Sequence, residues 1–310
     1  MKIRKNQPEP SKFRLHAAKE KNKMKTRTLL TVLLVLAVLA IPTLACSVTF
    51  NLPDKVKTTT TQTLDLSEEI PVKGETSQVR LEMGAGELEV SGGASKLIEG
   101  TVRYNVADWK PTITRDGHSI DIVQGSDGSI TLPGNDIVNE WNIQLGNSPI
   151  DLEVQAGAYK GTLDLSGIPI TNLSISDGAS QASLKFDTLN PVAMQRLVYK
   201  TGASQVDLEG LGNANVSEVT FQGGTGSYTL DFSGDLKQDL SVHLSAGMSN
   251  VRIYVPEGAN VQVVVGGGLS NVSVDGTWTT NGDTYTRSGS GPMISVNVEM
   301  GLGNLELRVR

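Results

Sequence analysis

Few residues of this 310-residue chain combine type and spacing in a way that could do chemistry. Beyond residue 46 there are two histidines, His118 and His243, and neither sits in a Cys/His/Asp cluster with metal-ligand spacing. No Gly-x-Ser-x-Gly elbow accompanies them, so a Ser-His-Asp triad has no local support. Gly223-Gly-Thr-Gly-Ser-Tyr228 is close to the Gly-rich nonapeptide that binds calcium, but Tyr228 stands where that motif needs Asp. The acids Asp151/Glu153, Asp164, Asp207/Glu209, Asp231 and Asp275 fall in outward slots of alternating segments. Carboxylates converging in a groove would suit a polysaccharide lyase or hydrolase. Here Lys185, Arg252, Tyr254 and Arg308 occupy equivalent places, and aromatic residues make up only 5% of the chain, which leaves few platforms for sugar rings. These acids therefore read as a solvated face. His243, flanked by Val242 and Leu244, reads as a surface residue, and no catalytic, cofactor-binding or metal-binding residue is assigned.

The only cysteine, Cys46, carries a different kind of chemistry. It follows an apolar run over residues 29–45, which is itself preceded by ten Lys/Arg. Basic region, apolar region and small residue before a cut make a signal-peptide layout. Met24 would begin an ordinary basic region, so translation from Met24 is an alternative to Met1. Thr43-Leu44-Ala45-Cys46 resembles the lipobox of bacterial lipoproteins, with Thr43 where that pattern prefers Leu. The resemblance implies lipidation at Cys46; an uncleaved anchor over residues 29–45 is the alternative, at the short end for a span. A single cysteine excludes a disulfide framework and a thiolate metal site. Of the 27 Lys/Arg and 33 Asp/Glu, ten and two lie within residues 1–46, so the remainder balances at −14. So acidic a domain is a poor nucleic-acid binder, since phosphate contacts need Lys/Arg. Residues 46–74, with Lys57 followed by four threonines, read as a Thr-rich tether.

What must position any site is a repeat. Beginning at Gly84, Gly157, Gly178, Gly202, Gly224, Gly247, Gly268 and Gly301, a frame recurs of which Gly202-Ala-Ser-Gln-Val-Asp-Leu-Glu209 is typical. Six places after each glycine stands an aliphatic residue: Val90, Leu163, Leu184, Leu208, Leu230, Ile253, Val274 and Leu307. Five and three places before it stand pairs such as Leu173/Ile175, Leu197/Tyr199, Val219/Phe221 and Val242/Leu244. Alternation of period two with β-branched and aromatic residues is strand chemistry. From Gly157 onward the frame repeats at 21–24 residues, with one longer step between Gly268 and Gly301, which points to a solenoid. The expected fold is all-β: a single-stranded, right-handed β-helix-like stack, with an N-terminal signal or anchor helix. The eight glycines are its corners, needing either positive φ or a backbone approach that a Cβ would block. Residues 100–105, 112–114 and 119–123 read as further strands, with turns at Asp127-Gly128 and Pro133-Gly134. Asn281-Gly282 signals a hairpin that projects from the stack. The last coil, residues 304–310, ends without a cap, so its edge is expected to invite a partner strand or a second copy.

Gly84-Ala-Gly-Glu-Leu-Glu-Val90-Ser-Gly-Gly-Ala94, Leu97-Ile-Glu-Gly-Thr101 and Trp141-Asn-Ile-Gln-Leu145 resemble the toast-rack N-terminal domain, placed here at residues 75–156. Residues 157–310 resemble the C-terminal domain of cell-wall-active antibiotic response proteins and related adhesin-type head domains. The resemblance implies a β-helix-like stack at the cell envelope and no functional residue. The expected function is a membrane-tethered, exported binding, scaffold or adhesin-like module with a protein or glycan partner and no catalysis. A polysaccharide-active β-helix enzyme and an envelope-stress sensory ectodomain are the alternatives.

Overall fold

The computed structural model describes residues 56–310 except 73, 127–135 and 269–270. Residues 29–45, Cys46, Met24 and the turns at Asp127-Gly128 and Pro133-Gly134 lie outside the described residues. Among those described, no helix is long and apolar enough to cross a membrane.

The repeat folds into long parallel strands, each one rung of a stack: β2 (Ser77–Ala94), β7 (Ile150–Asp164), β8 (Ile170–Lys185), β9 (Met194–Glu209), β10 (Val216–Asp231), β11 (Leu240–Val255) and β16 (Met293–Val309). Their pairing is in register, so the sequence column becomes a physical one. Val90 faces Leu163, then Leu184, Leu208, Leu230, Ile253, Leu307 and Val274. Each of these except Val274 is buried. At roughly 4.8 Å between neighbours, such a column excludes water along the whole stack, which no single rung could do.

Each rung is one strand bent at its glycine. On β9, Tyr199 and Val206 are both buried although seven residues apart, so the alternation slips by one between them. That slip is the corner, and it separates a first arm from a second. None of the eight has positive φ, and at all but Gly84, where a Cβ would meet only the Gln124 side chain at 3.2 Å, the cause of the glycine is close backbone approach. A Cβ at Gly202 would lie 2.4 Å from the carbonyl oxygen of Gly178, and one at Gly224 2.4 Å from that of Gly202. Connecting turns close the third side, burying Leu165, Phe186, Leu211 and Phe232. There the fully buried Asn190 donates from Nδ2 to the Ile170 and Ala214 carbonyls and accepts from the Val192 N–H. Three successive turns are stitched together by one amide.

The ends depart from the simple stack. At the N-terminal end, β5 (Ser119–Val123) covers the first arm of β2, and β4 (Thr112–Asp116) extends it. The second arm is covered by β6 (Asn139–Gly146), then β3 (Ile98–Tyr104), then β1 (Gln62–Glu68). Thus part of the segment expected as tether is a strand with Leu66 buried. Arg115 on β4 grips the buried carboxylate of Glu68 on β1 with two hydrogen bonds, closing the two arms on each other. At the other end the chain steps out of order. β16 lies between β11 and the coil that precedes it in sequence, made of β12 (Asn260–Gly267) and β13 (Asn271–Val274). The expectation of an uncapped edge at residues 304–310 is therefore corrected: Asn304 to Leu307 pair on both sides. The longer step between Gly268 and Gly301 gives the chain room to place a rung ahead and return to fill the gap. Within that step, β14 (Thr279–Asn281) and β15 (Thr284–Arg287) form the expected hairpin, but β15 pairs with β12 and continues the first-arm sheet instead of projecting free.

Candidate functional site

On the first arm, strand alternation turns every second residue outward beside the corner. Glu82, Gln155, Ser176 and Lys200 form one outward column, and Glu153 and Ser174 belong to the next. Together with Asp177 they line a shallow groove of about 650 Å³ that runs across four rungs. Its polar groups are held in place by one another. Gln155 Nε2 donates to Glu153 at 2.6 Å, and Arg80 donates to Glu82 and, at 3.4 Å, to Gln155 Oε1. Beside it, burial pushes the Asp151 carboxyl up, against a hydrogen bond from Asn172 Nδ2 at 3.3 Å.

Asp177 is the residue that sequence reasoning passed over. It occupies the inward slot just before the corner, where paired rungs hold Ala156 and Thr201. Its carboxylate accepts from Tyr199 OH at 2.9 Å, from Ser180 Oγ at 3.1 Å and from the Thr201 hydroxyl. Tyr159 OH lies 3.4 Å from Tyr199 OH. Burial raises the pKa of both tyrosines, with each other's hydroxyl and Asp177 as secondary influences. Neither is a proton donor near neutral pH. With both oxygens of Asp177 engaged by donors, the cluster is built to fix the corner. A charged residue in an otherwise small or apolar column was the available signal.

The second arm shows where the outward acids went. Lys185 bridges Asp164 at 3.0 Å and Asp187 at 2.7 Å. Glu306 accepts from Arg308 at 2.7 Å and from Arg252 at 3.1 Å; these bonds hold its carboxyl below the usual range. Arg308 also lies 3.7 Å from Asp275, and Arg310 pairs with Asp231, which is buried and not part of the solvated face expected for it. Asp207 and Glu209 stay on the outer side of β9, with Gln205 Nε2 3.5 Å from Asp207. Neighbouring rungs thus interleave the charges that the sequence shows as columns. Among the described residues, no group of three or more His, Cys, Asp or Glu is placed to hold a metal ion. His243 is exposed on β11, as its slot implied. Tyr228 is wholly buried and packs on Phe221 at 4.9 Å between ring centres. A Cβ at Gly223 would meet its ring at 2.4 Å, so that Gly-rich stretch makes room for an aromatic side chain. Two corner amides on adjacent rungs bond along the stack, Asn304 Nδ2 donating to Asn250 Oδ1 at 2.9 Å.

Several solved structures are similar to most of this chain at low identity. A proposed cell adhesion protein from Clostridium sporogenes is 23% identical over 81% of this chain and 99% of its own, with a TM-score of 0.47. A proposed adhesin from Bacteroides fragilis is 10% identical over 80% and 96%, with a TM-score of 0.40. A proposed lipid-binding protein from Parabacteroides distasonis is 10% identical over 79% and 96%, with a TM-score of 0.35. No curated protein sequence matches the chain with significance. Residues 52–194 match the family described as the N-terminal domain of toast_rack, DUF2154, a stretch that begins upstream of β1 and runs into β9. The chain therefore carries a toast-rack N-terminal domain over residues 52–194, and the rungs beyond it continue the same sheet to Val309.

Proposed function

We propose that this chain is an exported, membrane-tethered, adhesin-like binding module without catalysis, its coils wound right-handed and its attachment supplied by lipidated Cys46. The observation that carries this reading is the first-arm groove. Polar side chains on four successive in-register rungs give regularly spaced hydrogen-bonding groups on a rigid support, and an extended partner can lie along them. Cross-rung ion pairs on the second arm leave no converging pair of free carboxylates among Asp164, Asp231 and Asp275, which disfavours the polysaccharide-cleaving alternative.

A glycan array and a pull-down with the full-length chain test the reading. A bound glycan or protein should be weakened by Ser174→Trp together with Lys200→Glu, which fill the groove and reverse its charge. A ligand indifferent to both changes would move the site elsewhere. Loss of a measured polysaccharide-cleaving activity on Asp207→Asn with Glu209→Gln would overturn the non-catalytic assignment.

A further inference from the structure

The two ends of the stack are finished differently. The N-terminal end is closed by five strands and the Arg115–Glu68 link. At the other end the first arm is covered by β15 and β14, whereas β13 on the second arm has β16 on one side and, among the described residues, no strand on the other. The Asp275 N–H donates to the Leu307 carbonyl at 2.8 Å. Because a strand's backbone groups alternate in direction, Ser273 and Asn271 also turn toward β16, and the N–H and C=O groups of Val272 and Val274 point to the open edge. Val274 is 45% exposed although it ends the apolar column that begins at Val90. Next to this edge Val265, Gly267, Asn271, Val272, Asp283 and Tyr285 line an open concavity of about 460 Å³.

We infer that the β13 edge pairs with the same edge of a second copy of this chain, antiparallel about a twofold axis through Ser273. The sequence of the strand selects this occupant. With Ser273 opposite its own copy, Val272 falls opposite Val274 and Asn271 opposite Asp275. The inward residues then meet inward residues, as period-two alternation requires. The outward amide meets the outward carboxylate. Val272 and Val274 present outward-pointing backbone groups to each other, so the pairing forms four backbone hydrogen bonds. A one-residue slip in either direction sets an outward residue against a valine. An isologous contact of this kind closes on itself and stops at two copies.

Ser273→Cys in the full-length chain carrying Cys46→Ala tests the axis directly, since a non-hydrogen-bonded antiparallel pair brings the two Cα atoms to about 4.5 Å, within disulfide reach. Mild oxidation should give a disulfide-linked dimer about tenfold more abundant than Ser241→Cys, an exposed outward site on β11, gives in the same background. In light scattering, Ser273→Lys or Ser273→Glu alone should lose association, and mixing the two should restore it. Equal cross-linking from positions 273 and 241, failure of the mixture to associate, or a disulfide formed to a different protein would each overturn the inference.

Discussion

Replacing the corner glycines by alanine should destabilise the protein in an order set by how closely each Cβ approaches the rung beneath. A methyl at Gly202 would meet the Gly178 carbonyl oxygen at 2.4 Å, roughly 1 Å inside ordinary contact. The atom it meets is backbone within a continuous parallel ladder, so relief requires moving the ladder. Overpacking of this kind costs about 1–3 kcal/mol, and the lower chain entropy of alanine in the unfolded state returns about 0.4–1 kcal/mol. The net for Gly202→Ala is then about 1–2 kcal/mol, a fall in Tm of roughly 2–8 °C for a domain of this size. Gly157→Ala and Gly224→Ala, each also at 2.4 Å, should match it. Gly247→Ala at 2.7 Å and Gly178→Ala at 2.8 Å should cost less, and Gly301→Ala at 3.0 Å should be close to neutral. Gly266→Ala is the control, because the nearest atom to its Cβ is the Val298 carbonyl oxygen at 3.8 Å. Urea unfolding followed by circular dichroism gives the series. If Gly202→Ala is as stable as the parent, or if Gly301→Ala is the worst of the set, close backbone approach is not why these positions are glycine.

Alkaline conditions probe the corner cluster. Burial raises the Tyr159 and Tyr199 pKa values, so the folded state holds protons that the unfolded state releases near pH 10. Their contribution is intact below that pH and is lost above it, at up to about 1.4 kcal/mol per pH unit for each tyrosine. Unfolding free energy should fall as the pH rises above about 10, less steeply in Tyr199→Phe; a flat profile there would contradict the buried network. Asp177→Ala should cost about 1–3 kcal/mol at pH 7 by removing the charged acceptor shared by the Tyr199, Ser180 and Thr201 hydroxyls, and Asp177→Asn should cost less, both read from urea midpoints. Arg115→Ala leaves the Glu68 carboxylate buried without its partner and should lower stability by about 1–3 kcal/mol. Adding Glu68→Leu to Arg115→Ala should recover most of that loss in the same assay.

Strand identity and vertical register were written in the sequence, because a repeat that buries one face has only one way to align its columns. Leu163, Leu184, Leu208 and Leu230 stack for that reason: a one-residue slip would turn each rung inside out. The choice between positive φ and close approach at the glycines needed coordinates, since both explanations demand the same residue. So did the order of the last two coils. Residues 260–274 and 293–309 carry the same frame, and either could neighbour β11 on local grounds. Gln62–Glu68 escaped notice for a related reason: it pairs with Ile98–Tyr104, some thirty-five residues away, behind a threonine run with no apolar alternation of its own. The groove and the cross-rung ion pairs belong wholly to the tertiary structure. Residues such as Glu82, Gln155 and Lys200 are far apart along the chain, and only the coil length brings them to successive rungs.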